Sequence, residues 1–244
     1  MERRERAIWS NIRADSRALV SSFIECLLVK FNEDHLYYNN RAITKEYTMP
    51  NQPISRFPIP EFADLPADIQ QRFNDVQEKA GFIPNIFLTL ARRPEEFRAF
   101  FAYHDTLMEK ETAGLNMAER EMIVVTTSAR NQCQYCVIAH GAILRIRAKN
   151  PLIADQLATN YRKADISERQ RAMLDFALKV SRQAETVDES DYQRLNGFGF
   201  DDEDIWDIGA ISAFFGLSNR IVNLSSMRTN DEFYLMGRIP REKQ

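Results

Sequence analysis

From Pro66 onward, nearly every segment of the 244-residue chain carries its apolar residues at helical spacing, which confines the fold to packed helices. In "PADIQQRFNDVQEKAG", Ile69, Phe73 and Val76 share one stripe, and Gly81 marks its end. "RPEEFRAFFAYHDTLMEKE" opens on Pro94 with Glu95 and Glu96 in its first turn, which suits a helix N-terminus. Phe97, Phe100, Phe101 and Leu107 make its apolar face. Ser167 and Gln170 form a capping-box pair ahead of Met173, Phe176, Ala177 and Val180. The last long segment, "DDEDIWDIGAISAFFGLSNRIVNLSS", is apolar nearly all round and is expected to be buried.

One segment resists. "EMIVVTTS", Glu121 to Ser128, is rich in β-branched residues and reads as a strand on propensity alone. Asn116 and Glu119 stand ahead of it as a cap pair, so a buried helix is expected. A short internal echo points the same way. "AEREMIVVTTSA" and "SERQRAMLDFAL" open alike, as in a duplicated helical unit, and only the first is followed by cysteines.

Five prolines from Pro50 to Pro66 keep the backbone extended and forbid a regular helix. The chain divides there into an N-terminal extension, residues 1–48, and one helical domain, residues 49–244, long enough for a sizeable core. A start at Met49 would suffice for the domain; a helical arm is the other reading of the extension, whose order stays open. It holds the run "ALVSSFIECLLVKF", Ala18 to Phe31, which imitates a membrane segment. That run is shorter than the roughly 20 residues a bilayer requires and has Glu25 at its centre. No cleavage site of small residues follows. No membrane partner is expected. A net charge of −3 offers no footprint for nucleic acid. Three cysteines are too few for a disulfide scaffold, and the expected setting is cytoplasmic.

Two of those cysteines and one of three histidines fall within eight positions, in "SARNQCQYCVIAHG". On a helix, Cys133, Cys136 and His140 share one face. A helix N-terminus and a nearby base lower a thiol into the reactive range, and a second cysteine within reach condenses with a sulfenic acid. Four readings compete. The cysteines are small buried hydrophobes beside a satisfied histidine; or they bind zinc, with His104 or a carboxylate completing the ligands. Alternatively they form a thioredoxin-like pair, although nothing else supplies a βαβ pattern. The fourth reading is a helical thiol peroxidase or disulfide reductase.

The pattern Glu121, then Cys133–Gln134–Tyr135–Cys136, then Ala139–His140–Gly141, resembles the alkylhydroperoxidase D-like family of the carboxymuconolactone decarboxylase superfamily, in its peroxidase-related branch. The later "FFGLSNRIVN" is similar to that family's second helical repeat, and the resemblance covers roughly Pro50 to Ser226. It implies an all-α fold with a duplicated helical unit and assembly as a homo-oligomer, a trimer or a hexamer. It implies reduction of organic hydroperoxides or hydrogen peroxide by the two cysteines, with no cofactor and no metal. The implied reductant is a dithiol, carried in the best-known members by a lipoyl-bearing protein. Cys136 would attack peroxide, Cys133 would resolve, and Glu121 with His140 would form the proton relay. A carboxylate that fixes the imidazole tautomer makes that relay chemically sensible; the plainer reading of Glu121 is a helix-surface carboxylate. His104 either lines the pocket or sits on a helix surface. Tyr135 departs from the pattern, because some family members have a histidine between the cysteines. The decarboxylase branch typically lacks the cysteine pair, so lactone decarboxylation is disfavoured. The remaining alternatives are a dithiol–disulfide oxidoreductase and a non-enzymatic redox sensor.

Overall fold

Every regular element among residues 52–238, the part of the chain that the computed structural model describes, is helical. The readings of residues 1–48, Cys26 and the Ala18–Phe31 run included, lie outside the described residues. In chain order the α-helices are α1 (Ala67–Ala80), α2 (Asn85–Leu90), α3 (Pro94–Met108), α4 (Met117–Arg130) and α5 (Gln134–Arg147). There follow α6 (Ile153–Asn160), α7 (Glu168–Gln183), α8 (Glu189–Gly197), α9 (Asp202–Leu224) and α10 (Glu232–Leu235). The all-α class and the duplicated helical bundle expected from the sequence are what the chain forms. Among the described residues no helix is long and apolar enough to cross a membrane.

The β-branched run lies in α4. Its start is fixed locally: Asn116 Oδ1 accepts from the Glu119 N–H at 3.0 Å, and the Glu119 carboxylate accepts from the Asn116 N–H at 3.2 Å. Every residue from Glu119 to Ser128 is buried, because α5, α6, α7 and α9 all pack on this helix. Packing on all sides overrides the strand propensity. Replacing Asn116 with alanine removes the cap and is expected to cost about 1 kcal/mol, read as a lowered urea midpoint. The second half of the echo starts α7 in the same way, with Ser167 and Gln170 bonded reciprocally at 3.1 Å.

One expectation needs correction. Helix α9 turns Ile208, Ile211, Phe215 and Val222 into the core, but it is not buried all round. Trp206, Leu217 and Leu224 are 72%, 52% and 69% exposed. With Ala213 they form one stripe along the helix, a flank left exposed among the described residues.

Two packings frame the functional region. Phe73, Phe87, Phe97 and Phe101 join α1, α2 and α3, with the Phe87 and Phe101 rings 4.2 Å apart. The described part of the proline-spaced segment forms no α-helix, turning once through a 3-10 turn at Phe62–Asp64, and is tied to the chain after α9. There Arg56 N–H donates to Ser225 O at 2.8 Å and Arg228 N–H to Ile54 O at 2.9 Å.

Candidate active site

Helices α4 and α5 form a hairpin closed by Asn131 and Gln132. Gln132 takes φ +54, a left-handed conformation that is uncommon outside glycine, and the Cys133 N–H then reaches back to Ser128 O at 3.0 Å. Cys133 therefore becomes the N-cap of α5, and Cys136 falls in its first turn. Both thiols are free and almost completely buried, at 0% and 1% exposure.

The hairpin brings Glu121 opposite His140. Glu121 Oε2 stands 2.8 Å from His140 Nδ1, and Glu121 Oε1 stands 3.3 Å from the Arg147 guanidinium. Burial works against charge on this carboxylate. His140 and Arg147 outweigh it and hold Glu121 below the ordinary carboxylate range. Glu121 is thus no surface carboxylate; Glu119 is buried too, paired with Arg169 at 2.9 Å.

The two thiols influence each other's ionisation, which favours a single negative charge on the pair. Cys133 is drawn below the usual thiol range by Cys136, helped by Asn219 and by the backbone N–H groups of Cys136 and Tyr135. Cys136 is pushed up by its neighbour Cys133 and by burial.

Cys136 and His140 face a common cavity, to which His104 and Ser218 also contribute. Its remaining wall is apolar, chiefly Ile86, Phe100, Phe101, Ile143, Phe215 and Phe233. The Phe215 ring stands edge-on to His140 at 4.7 Å. His104 belongs to this wall, not to the helix surface. Its Nδ1 lies 3.0 Å from Asp105 Oδ1, which pairs in turn with Arg72 at 2.8 Å. Burial lowers the proton affinity of His104. Tyr135, between the cysteines, accepts the Ile86 N–H at its hydroxyl at 3.2 Å. Burial pushes its phenol up, so it supplies no base near neutrality.

Three side chains of this site were not read from sequence. Arg147 lies seven residues beyond His140 on the same helix, so its position on the stripe was visible; its partner on α4 was not. Ser218 Oγ stands 4.0 Å from Cys136 Sγ, and Asn219 Nδ2 donates to Ser128 Oγ at 3.0 Å. Both lie inside the quoted "FFGLSNRIVN". Over the cysteines sits α10, whose Phe233 and Met236 carbonyls accept from buried Arg145 at 3.0 and 2.8 Å. Among the described residues no group of three or more His, Cys, Asp or Glu side chains is placed to hold a metal ion.

A sequence profile of the carboxymuconolactone decarboxylase family matches residues 94–151, which take in α3, α4 and α5. Among solved structures, the alkylhydroperoxidase AhpD core of a peroxidase-related protein from Ralstonia eutropha JMP134 is 66% identical, with a TM-score of 0.76. The match covers 78% of this chain and 100% of that one. A peroxidase-related protein from Silicibacter sp. TM1040 is 38% identical over the same shares, with a TM-score of 0.73. The debrominase Bmp8, 21% identical with a TM-score of 0.61, covers 75% of this chain and 95% of its own and shares the fold. Comparison with curated proteins returns no match. Identity at this level over the whole length of the first two relatives shows that the chain belongs to the AhpD-type, peroxidase-related proteins of the carboxymuconolactone decarboxylase superfamily.

Proposed function

We propose that the protein is a cysteine peroxidase that reduces hydroperoxides through a Cys133–Cys136 dithiol–disulfide cycle. The observation that carries this reading is the buried Glu121–His140 pair, closed at 2.8 Å, with its imidazole on the cavity that also exposes Cys136. His140, held by Glu121 through Nδ1, takes the Cys136 proton. The thiolate attacks the terminal peroxide oxygen, the O–O bond breaks, and the leaving alkoxide takes the proton from His140 and departs as alcohol. Cys136 is left as a sulfenic acid. Cys133, the more acidic thiol, displaces its hydroxyl as water and closes the disulfide. A dithiol then restores both thiols by exchange. Thiols this deeply buried favour a slender dithiol arm, such as a lipoyl group, over a thiol on a folded surface.

In this reading the uncovered α9 stripe is the contact between copies of the chain, since exposed apolar flanks of this kind mark association surfaces. Trp206→Glu is expected to shift the assembly toward the monomer in sedimentation.

The test supplies an alkyl hydroperoxide or hydrogen peroxide with reduced lipoamide as electron donor. The expected result is many turnovers per chain, with a Cys133–Cys136 disulfide found by peptide mass mapping after peroxide treatment. Disulfide exchange without peroxide turnover would indicate an oxidoreductase. A single oxidation that only changes assembly would indicate a sensor.

A further inference from the structure

Helix α9 is eighty-odd residues away from the cysteine pair in sequence, yet it presents Ser218 to the Cys136 sulfur, with Asn219 next to it on the helix. Both side chains are buried, at 2% and 1% exposure. A buried serine on a helix usually satisfies its hydroxyl locally, and Ser212 on the same helix does so, donating to Ile208 O at 2.8 Å. Ser218 does not follow that habit. Its hydroxyl is paired with Cys136 Sγ at 4.0 Å, at the rim of the cavity that holds His140. Asn219 is held from both ends. Its Oδ1 accepts from Asn131 Nδ2 at 2.9 Å, which commits its Nδ2 to donating, as it does to Ser128 Oγ at 3.0 Å.

Beyond the imidazolium that His140 becomes on taking the proton, a thiolate at Cys136 has few polar neighbours. The surrounding wall is mostly aromatic and aliphatic, and burial there opposes the charge. The first turn of α5 contributes its N-terminal dipole. What the wall lacks is a donor fixed in place before the charge appears, the arrangement that is most effective for developing charge in a dry site.

We propose that Ser218 is a catalytic residue of this site, a preorganised hydroxyl that hydrogen-bonds the Cys136 sulfur as it becomes a thiolate, with Asn219 as the positioning donor beside it. The two helical halves then divide the work: the α4–α5 hairpin moves the proton, and α9 stabilises the charge left behind. The inference rests on the reading of Cys136 as the attacking thiol.

The experiment compares Ser218→Thr with Ser218→Val, which share a shape and differ in the hydroxyl, in a Cys26→Ser, Cys133→Ser background where Cys136 is the sole thiol. Ultraviolet absorbance of the thiolate against pH gives the Cys136 titration midpoint. Stopped-flow oxidation by hydrogen peroxide gives the rate. With valine, the midpoint is expected to rise by about one unit and the rate near neutral pH to fall about tenfold, as the loss of one hydrogen bond to a charged group predicts. Threonine is expected to keep both close to the parent. Equal midpoints for the threonine and valine proteins would overturn the proposal. If the parent itself does not react with peroxide, the peroxidase reading fails, while the titration still decides whether Ser218 stabilises the thiolate.

Discussion

Cys136→Ser is expected to abolish peroxide consumption, whereas Cys133→Ser should consume one equivalent per chain and stop. The asymmetry follows from position. Cys136 shares the cavity with His140, while Cys133 is wholly buried at the helix N-cap behind it. A serine hydroxyl at position 136 is far too weak an acid to serve as nucleophile near neutral pH, so the first chemical step disappears. With serine at 133 that step survives, but no second thiol condenses with the sulfenic acid. Without added thiol the stalled protein should react with dimedone at Cys136, and any further turnover requires an external dithiol to take the place of Cys133. Peroxide assay and mass spectrometry of the adduct distinguish the two variants. Multiple turnovers by the Cys136→Ser protein would remove the cysteine from the reaction.

The two halves of this site were not equally legible. Cys136 and His140 lie one turn apart on α5, so helical spacing put them on one face, whereas Cys133 caps the helix in an extended conformation and sits outside the cavity they share. The start of α4 was legible because its cap is a local signal, spoken by Asn116 and Glu119 within one turn. Ser218 and Asn219 were within a segment matched to the family, but their reach to the sulfurs depends on how α9 crosses α5, which no local rule gives. His104 next to Asp105 was visible as a pair, yet its burial depends on the aromatic packing of α1 to α3 and on Phe214 and Phe215 from α9. The exposed flank of α9 was misread for a related reason. When a helix is apolar on every side, hydrophobicity no longer says which side faces the core.

Glu121→Gln is expected to lower peroxide turnover about 100-fold while leaving both thiols in place. The glutamine keeps the shape but not the charge, so His140 loses the anion that orients it. The same change takes the Glu121 charge away from Arg147, whose side chain is only 7% exposed and which also donates toward the Met108 and Met117 carbonyls at 3.4 and 3.5 Å. Removing one partner of a buried ion pair costs about 3 kcal/mol or more, so a large drop in the urea midpoint should accompany the loss of rate. Acidity provides a separate check. The folded-state value of Glu121 is depressed, so its contribution to stability is fully present above the ordinary carboxylate value of 4.5 and is lost as pH falls through the lower folded value. The wild-type urea midpoint should therefore fall with acidification below that range, and the glutamine variant should lose that part of the slope. The double variant Glu121→Gln, Arg147→Met separates structure from chemistry. Methionine replaces the guanidinium with apolar volume and should recover part of the stability, because a buried pair is often replaceable by hydrophobic packing. Turnover should stay at the level of the single variant. If rate returned together with stability, Glu121 would be a packing residue, and the proton would have to leave Cys136 by another route.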